Sequence, residues 1–410
     1  MYTMLRTAFL LALSVAFALQ AAPRTVTVAQ SGSADVVGSD SAALQKAAQM
    51  LNPGDTLVIG PGTYEMNNSL FVPSGVTVRG TKDKTILKKS RGIESALAED
   101  GDYGESALAV AEPQKFRPGM GVSIVDDKLN SGWDITVTTV ADIKGPYLIL
   151  NPITVRDYDQ EHLHAKVRNV FPILAVMNAE KVTLEDITVD GNKDENAYID
   201  GCRGGAIYLY NVRDIIVRNC TARNYNGDGI SFQITENVQI LNCDSFGHTG
   251  YGVHPGTGSA RPLVKGCRLH NNGQIGLFLC WRVRHGRFED NTIEDNGRHG
   301  ISIGHKDTDN EFLNNTIARN GSTGVYFRKE TFKNSGHRNV FRNNTVVDNG
   351  SAKDGYGFYI SDATKDIVIE KNKIADTRKA GATQKVAIYK TPGAGSVASR
   401  DNDLGAPLRP

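Results

Sequence analysis

Gly276-Leu277-Phe278-Leu279, Gly300-Ile301-Ser302-Ile303 and Gly324-Val325-Tyr326-Phe327 are three copies of one short phrase, each starting 24 residues after the last. Moving outward, the phrase recurs as Ala206-Ile207-Tyr208-Leu209, Gly229-Ile230-Ser231-Phe232, Gly252-Val253-His254-Pro255 and Gly357-Phe358-Tyr359-Ile360. Along the seven copies the first residues stand 23, 23, 24, 24, 24 and 33 apart. A fixed period with one β-forming run per unit predicts a solenoid, because a single unit can bury its apolar face only by stacking on its neighbours.

A second column keeps the same register. Cys220, Cys243, Cys267, Asn291 and Asn315 each stand nine residues before a strand start, and Asn344 belongs to the 33-residue unit, whose extra residues lie elsewhere. Like residues in one turn position suit a parallel β-helix, where each meets its counterpart about 4.8 Å along the axis. An Asn ladder satisfies backbone groups at the turn, and Cys fills the same slot as a small apolar group. Cys220, Cys243 and Cys267 are therefore expected as buried thiols, while Cys280 faces outward beside Trp281.

The fold class is accordingly all-β, a parallel β-helix of 410 residues, and the repeat overrides the two or three domains that length alone would suggest. A formal charge of +1 argues against nucleic acid as a partner. Residues 1–22 read as a secretory signal, with Arg6 before an apolar run from Ala8 to Leu19 and small residues up to Ala22; the run is too short to span a bilayer. A secreted or periplasmic protein without a membrane span is expected. Asp40 to Leu51 has the cap and apolar spacing of a helix able to cover the open end of the solenoid. The β-helix is expected over 23–390, with the period lost over about 92–159, where strand patterns suggest an inserted β subdomain; 391–410 reads as a flexible tail. Asn-x-Ser/Thr triplets occur at Asn67, Asn219, Asn314, Asn320, Asn343 and Asn349, of which three begin one residue before the ladder position.

Strand alternation sends every second side chain outward. The first outward column is Tyr208, Ser231, His254, Phe278, Ser302, Tyr326 and Tyr359; the second is Tyr210, Gln233, Gly256, Cys280, Gly304, Arg328 and Ser361. The next two positions enter the turn as Trp281, His305 and Lys329, then Arg282, Lys306 and Glu330. From Arg261 to Arg342 there are 14 Lys/Arg against 8 Asp/Glu. A basic groove floored by Tyr208, Phe278, Trp281 and Tyr326, with Gln233, Lys329, His299 and Asp228 nearby, suits an acidic polysaccharide or oligosaccharide, whose sugar faces stack on aromatics and whose carboxylates seek cations.

These residues resemble the right-handed parallel β-helix proteins of the pectate-lyase type, which include polysaccharide lyases, uronan C5-epimerases, polygalacturonases and phage tailspikes. The resemblance covers roughly Pro53 to Tyr389. Chondroitin and alginate lyases of this group place a Lys base and an Arg acid on successive coils, and Lys306 and Arg328 look like that arrangement. Those lyases hold calcium through acidic residues on the strand before the Lys; here that strand reads Arg298-His299-Gly300-Ile301-Ser302-Ile303-Gly304. The C5-epimerases carry an Asp-Pro-His-Asp turn followed one coil later by an Arg, and Val253-His254-Pro255-Gly256 with Arg282 is similar, its His two residues early.

The chemistry implied is removal of the proton α to a uronate carboxylate, with Arg282 or Arg328 neutralising the carboxylate. Lys306, flanked by like charges, is the first candidate base, and His254 and His305 are its rivals. A glycoside hydrolase is the alternative: it needs two carboxylates, and Asp307 with Glu330 one coil apart fit the spacing, Asp228 and Asp309 being further candidates. Asp307-Thr308-Asp309-Asn310 could also offer oxygens to calcium, although it lacks the glycine and distant glutamate of a loop site, so no cofactor is required. A non-catalytic glycan-binding module is the third class, but it has no need for clustered Lys, Arg and His.

Overall fold

The computed structural model describes residues 22–128, 131–353 and 355–405, and the backbone of 408–409. The expected leader lies outside the described residues except for its last residue, Ala22.

From Leu174 onward the chain winds into a parallel β-helix. Leu174 pairs with Ile207, Ile207 with Ile230, Ile230 with Val253, Val253 with Leu277, Leu277 with Ile301, Ile301 with Val325 and Val325 with Phe358. Every pairing is parallel and keeps the register read from the repeat. Each coil turns two more corners, giving a second ladder through Ile240, Val264, Phe288, Phe312 and Phe341 and a third through Ala222, Ser245, Leu269, Ile293 and Ile317. Inside, Phe288, Phe312 and Phe341 stack with centroids 4.9 and 4.5 Å apart and are fully buried. Each such ring contributes about 1.5–3 kcal/mol by leaving water.

The turn ladder runs as expected. The Cys267 amide donates to Asn291 Oδ1 at 2.9 Å, Asn291 to Asn315 at 3.0 Å and Asn315 to Asn344 at 2.9 Å, and the ladder continues through Asn372 to Asn402. Cys220, Cys243 and Cys267 are free and buried. A second ladder, Asn272, Asn296, Asn320 and Asn349, is closed by Gln384, with amide-to-amide bonds of 2.9 Å at each step. Asn310 bonds Asn339 across 29 residues, where the preceding turn positions are 24 apart. Five of the extra residues of the long coil therefore sit between Arg328 and Asn339, where Phe332–Asn334 makes a 3-10 turn.

Ser41–Ala48 is the capping helix; Asp40 caps it by accepting from the Ala43 amide at 3.0 Å, and Leu44, Ala47 and Ala48 close the apolar end. The insertion is a six-stranded antiparallel sheet with its own apolar core around Val122, Ile124, Val140 and Leu148. Its strands begin at Glu94–Ala96 and finish at Lys166–Arg168, beyond the expected end near 159, because that last strand pairs back onto Gly121–Val125. The tail is corrected as well. Val397–Arg400 pairs with Ile367–Glu370 and Asp403–Leu404 with Lys373–Ala375, so the chain beyond 390 adds another coil instead of a flexible extension. Its Gly, Ala, Ser and Pro content hid strands that depend on stacking rather than propensity.

Candidate functional site

The outward columns fall where alternation puts them, but the face they form is not uniformly open. A loop ending at Gly205 lies over it. Gly201 packs so closely that an added Cβ would stand 1.8 Å from Asp228 Oδ2 and 2.4 Å from His254 Nδ1, so only glycine fits. Its carbonyl accepts from Ser231 Oγ at 2.6 Å and Gln233 Nε2 at 3.3 Å, and Cys202 O accepts from Tyr208 Oη at 2.6 Å. Arg203 reaches from this loop to the insertion, stacking over Trp133 at 5.0 Å.

The roof corrects several expectations. Tyr208, Gln233, Asp228 and His254 are buried, so Tyr208 is not a sugar platform and His254 is not an open base. His254 Nδ1 lies 2.7 Å from Asp228 Oδ2, and its ring meets Tyr251 and Phe278 edge-on. Burial pulls its proton affinity down, but the bonds to Asp228 and Cys280 prevail and raise it to about 10. Phe278 is half-buried, sandwiched between Tyr251 at 4.2 Å and the Arg328 guanidinium at 4.7 Å. His299 is buried against Tyr326 at 4.4 Å, and burial lowers its proton affinity to about 4.

Arg328 and Lys306 do not form the expected base and acid pair. The Arg328 guanidinium turns across two coils to Ser302 Oγ at 2.9 Å, Leu279 O at 2.8 Å, Cys280 O at 3.1 Å and Asp307 Oδ2 at 3.2 Å. Gly304 leaves room for it: a Cβ there would come within 2.7 Å of Nε. Asp307 is fully buried; Oδ1 accepts from the Val283 amide and Oδ2 from the Gly304 amide, and burial raises its carboxyl to about 7 against the pull of Arg328. Of the expected hydrolase pair only Glu330 reaches solvent. Asp309 is held by Arg338 at 2.6 and 2.8 Å. The 307–310 turn thus offers calcium no free ligand set, and among the described residues no group of three or more His, Cys, Asp or Glu is arranged to hold a metal.

The corner beside this face does gather the remaining candidates. Trp281 is 42% exposed and its ring lies tilted against His305 at 4.4 Å, and the Arg282 guanidinium lies 5.8 Å from the indole. His305 Nδ1 pairs with Glu330 Oε1 at 2.8 Å. Arg282, His305 and Lys306 have φ of 60°, 34° and 65°, the left-handed conformation that tightens this corner and points Arg282 and Lys306 into solvent. The Lys306 amide donates to Asn334 O at 2.6 Å, so the five-residue expansion buttresses the corner. Lys329 is exposed and lies 3.8 Å from Asp362.

The basic surplus is largely consumed elsewhere. Arg261, Lys265, Arg268, Arg287, Arg319, Arg338 and Arg342 all pair with carboxylates on other turns and faces. Among the described residues Arg282 and Lys306 form no salt bridge, which leaves the corner positive. Tyr326, Tyr359 and Tyr389 continue from it as a half-buried aromatic stripe with centroids 5.4 and 5.1 Å apart. Tyr389 lies beyond the last strand start read from the sequence and joins the column by pairing in register with Tyr359. A groove of about 680 Å³ lies along the same corner on earlier coils, lined by Asn178, Asn211, Ile234 and Gly258; it contains none of the candidate catalytic residues, but Gly258 bonds Trp281 at its near end.

The family described as the right-handed beta helix region matches residues 173–260 and 256–374. No curated protein sequence matches the chain. Among solved structures, the A-module of the mannuronan C-5 epimerase AlgE4 from Azotobacter vinelandii is similar at 15% identity and a TM-score of 0.54, over 90% of this chain and 92% of that one. The Dettilon tailspike protein is similar at 12% identity and a TM-score of 0.57, over 88% of this chain and 58% of that one. A glycoside hydrolase is similar at 11% identity and a TM-score of 0.52, over 93% and 97%. Identities this low speak for a shared fold. With its parallel ladders and its matched repeat region, the chain has the right-handed parallel β-helix fold.

Proposed function

We propose that the protein is an enzyme acting on a uronate-containing polysaccharide by β-elimination at the Trp281–His305–Glu330 corner. The observation that carries this reading is the 2.8 Å pairing of His305 with Glu330 directly against an exposed indole, with two cations free of carboxylate partners beside it. Glu330 holds Nδ1, so Nε2 is the nitrogen available to a substrate. A sugar ring stacks on Trp281, and Arg282 and Lys306 bind its carboxylate. His305 Nε2 removes the proton on the carbon bearing that carboxylate, the cations stabilise the charge that develops, and the C4–O4 bond breaks. The departing oxygen takes a proton and becomes a new reducing end, leaving a 4,5-unsaturated uronate on the other product.

The burial of Asp307 favours this over hydrolysis, since a two-carboxylate mechanism needs both groups at the sugar. A C5-epimerase shares the first step and differs in returning the proton to the opposite face. The test is a panel of uronans and neutral glycans incubated in deuterated water, following ultraviolet absorbance of the unsaturated product, reducing ends and deuterium at C5. Absorbance with new ends on a uronan is the expected result. New ends without absorbance would overturn elimination in favour of hydrolysis, and C5 deuterium without new ends would make the corner an epimerase site.

A further inference from the structure

The left-handed corner that carries Arg282 and Lys306 begins four coils earlier, and the elimination chemistry uses only its end. Met177 pairs with Tyr210 and Tyr210 with Gln233, so the residues that follow them, Asn178, Asn211 and Ile234, stack in one column. The Ile234 amide donates to Thr257 O and the Gly258 amide to Trp281 O, both at 2.7 Å, which carries the column through Gly258 to Arg282 and then Lys306. φ is 52°, 51°, 57° and 73° at the first four positions and 60° and 65° at the last two. Five steps of about 4.8 Å make the column about 24 Å long. The groove of about 680 Å³ runs along its first four positions.

Ile234 is the anomaly in this column. A left-handed φ drives Cβ towards the following carbonyl, which Asn and Gly tolerate and a β-branched residue tolerates least. Among the described residues Ile234 is the only β-branched one with positive φ, and at 43% exposed it gains no core packing to offset the strain. Strain kept where the fold has no use for it points to a task at the surface. Beside it Asn211 Nδ2 donates to Asn178 Oδ1 at 2.8 Å, which leaves Asn211 Oδ1 as an acceptor and Asn178 Nδ2 as a donor with no protein partner among the described residues. The charges along the groove cancel, Glu180 against Arg213 at 2.8 Å and Glu236 against Arg261. An exposed aliphatic side chain, a pair of half-used amides and no surplus charge match a neutral sugar, its C–H face on Ile234 and its hydroxyls on the amides. A carboxylate there would face Glu180 and Glu236 with the neighbouring cations already committed. We propose that this groove binds neutral sugars of the same glycan whose uronate sits at Trp281 and Arg282, so that the substrate is a heteropolysaccharide joining neutral residues to uronates and not a homopolymer of uronate. The place of the uronate rests on the elimination reading; binding in the groove does not.

The test is a nuclear magnetic resonance titration of the full chain carrying labelled isoleucine methyls and indole nitrogens, the Ile234 methyl being assigned by its loss in Ile234→Asn and the Trp281 indole by its loss in Trp281→Phe. The probes, matched in length, are neutral cello-, xylo- and manno-oligosaccharides, homo-oligomers of galacturonate and mannuronate, and mixed oligosaccharides cut from glucuronoxylan and hyaluronan. Neutral probes should shift the Ile234 methyl, homo-oligouronates the Trp281 indole, and a mixed probe both, with about tenfold tighter binding than the homo-oligouronates. Ile234→Asn should weaken binding of that mixed probe about 3- to 10-fold, the worth of covering roughly half an aliphatic side chain. Its denaturant midpoint should hold or rise, because Asn takes the left-handed conformation more readily. The proposal is overturned if no neutral or mixed probe moves the Ile234 methyl, or if homo-oligouronates move it as far as mixed ones do. A lowered midpoint in Ile234→Asn would also overturn it, by making the side chain part of the fold. Ile234 shifts without any unsaturated product would keep the groove as a neutral-sugar site and strike the elimination reading instead.

Discussion

Replacing Glu330 with Gln separates the charge of this residue from its shape. The amide keeps the size and shape of the side chain against the imidazole, and the negative charge 2.8 Å from Nδ1 is lost. In a partly screened site two unit charges at 4 Å interact by about 4 kcal/mol. His305 is about one-third exposed at its side chain and Glu330 12%, so solvent reduces the share felt when the imidazole takes the proton to about 1–2 kcal/mol. That corresponds to roughly 5- to 30-fold in kcat, with KM little changed because the charge matters only once the proton has moved. Glu330→Ala, which also frees the ring, should fall further, and His305→Ala should lose about 10²- to 10⁴-fold, the usual worth of a positioned base. Initial rates from product absorbance across a substrate series give both constants. The reasoning is refuted if Glu330→Gln matches the wild type, or if a folded His305→Ala retains more than a tenth of the activity.

Trp281→Ala should raise KM with little change in kcat, since the indole holds the sugar and takes no part in proton transfer; inhibition by product oligosaccharides reports the same loss. Asn320→Ala should destabilise the central coils by about 3–6 kcal/mol, because it strips partners from the Asn296 amide, the Asn296 side chain and the Ile293 carbonyl, each worth about 1–2 kcal/mol; denaturant unfolding measures it. His248 is buried and neutral, with Nδ1 accepting from the Tyr225 amide and Nε2 facing Ala222 O, and burial lowers its proton affinity to about 3. Below its ordinary value near 6.5 the unfolded chain therefore takes up a proton that the folded chain refuses, so stability is lost as pH falls from about 6.5 towards 3. His248→Gln should flatten that part of a stability profile.

How far the sequence could be read follows from what repeats in it. The columns through Ile207, Val253, Leu277 and Ile301 were legible because alternation and a 24-residue period leave no freedom in which residues become neighbours. Trp281 and His305 met for that reason. The roof over His254 was not legible, since Gly201 and Cys202 belong to a stretch with no counterpart in the next coil, so the period says nothing about where it goes. Arg328 escaped in another way: its backbone slot was readable, but its side chain chose three acceptors and a buried carboxylate over solvent. The second Asn ladder was present at the same spacing as the first, hidden because Asn272, Asn296, Asn320 and Asn349 sit among turn residues where Asn is common anyway.

That inner ladder also bears on how the protein can be made. Asn320 and Asn349 head Asn-x-Ser triplets, yet both are wholly enclosed, with their side-chain amides committed to neighbouring coils. A eukaryotic host attaches oligosaccharides to such triplets while the nascent chain is still extended, and a sugar tree on either asparagine leaves no space for the adjoining turns to stack. Yeast or mammalian production should then yield misassembled chains, and Ser322→Ala with Ser351→Ala, which erase both acceptor signals without touching the amides, should restore them.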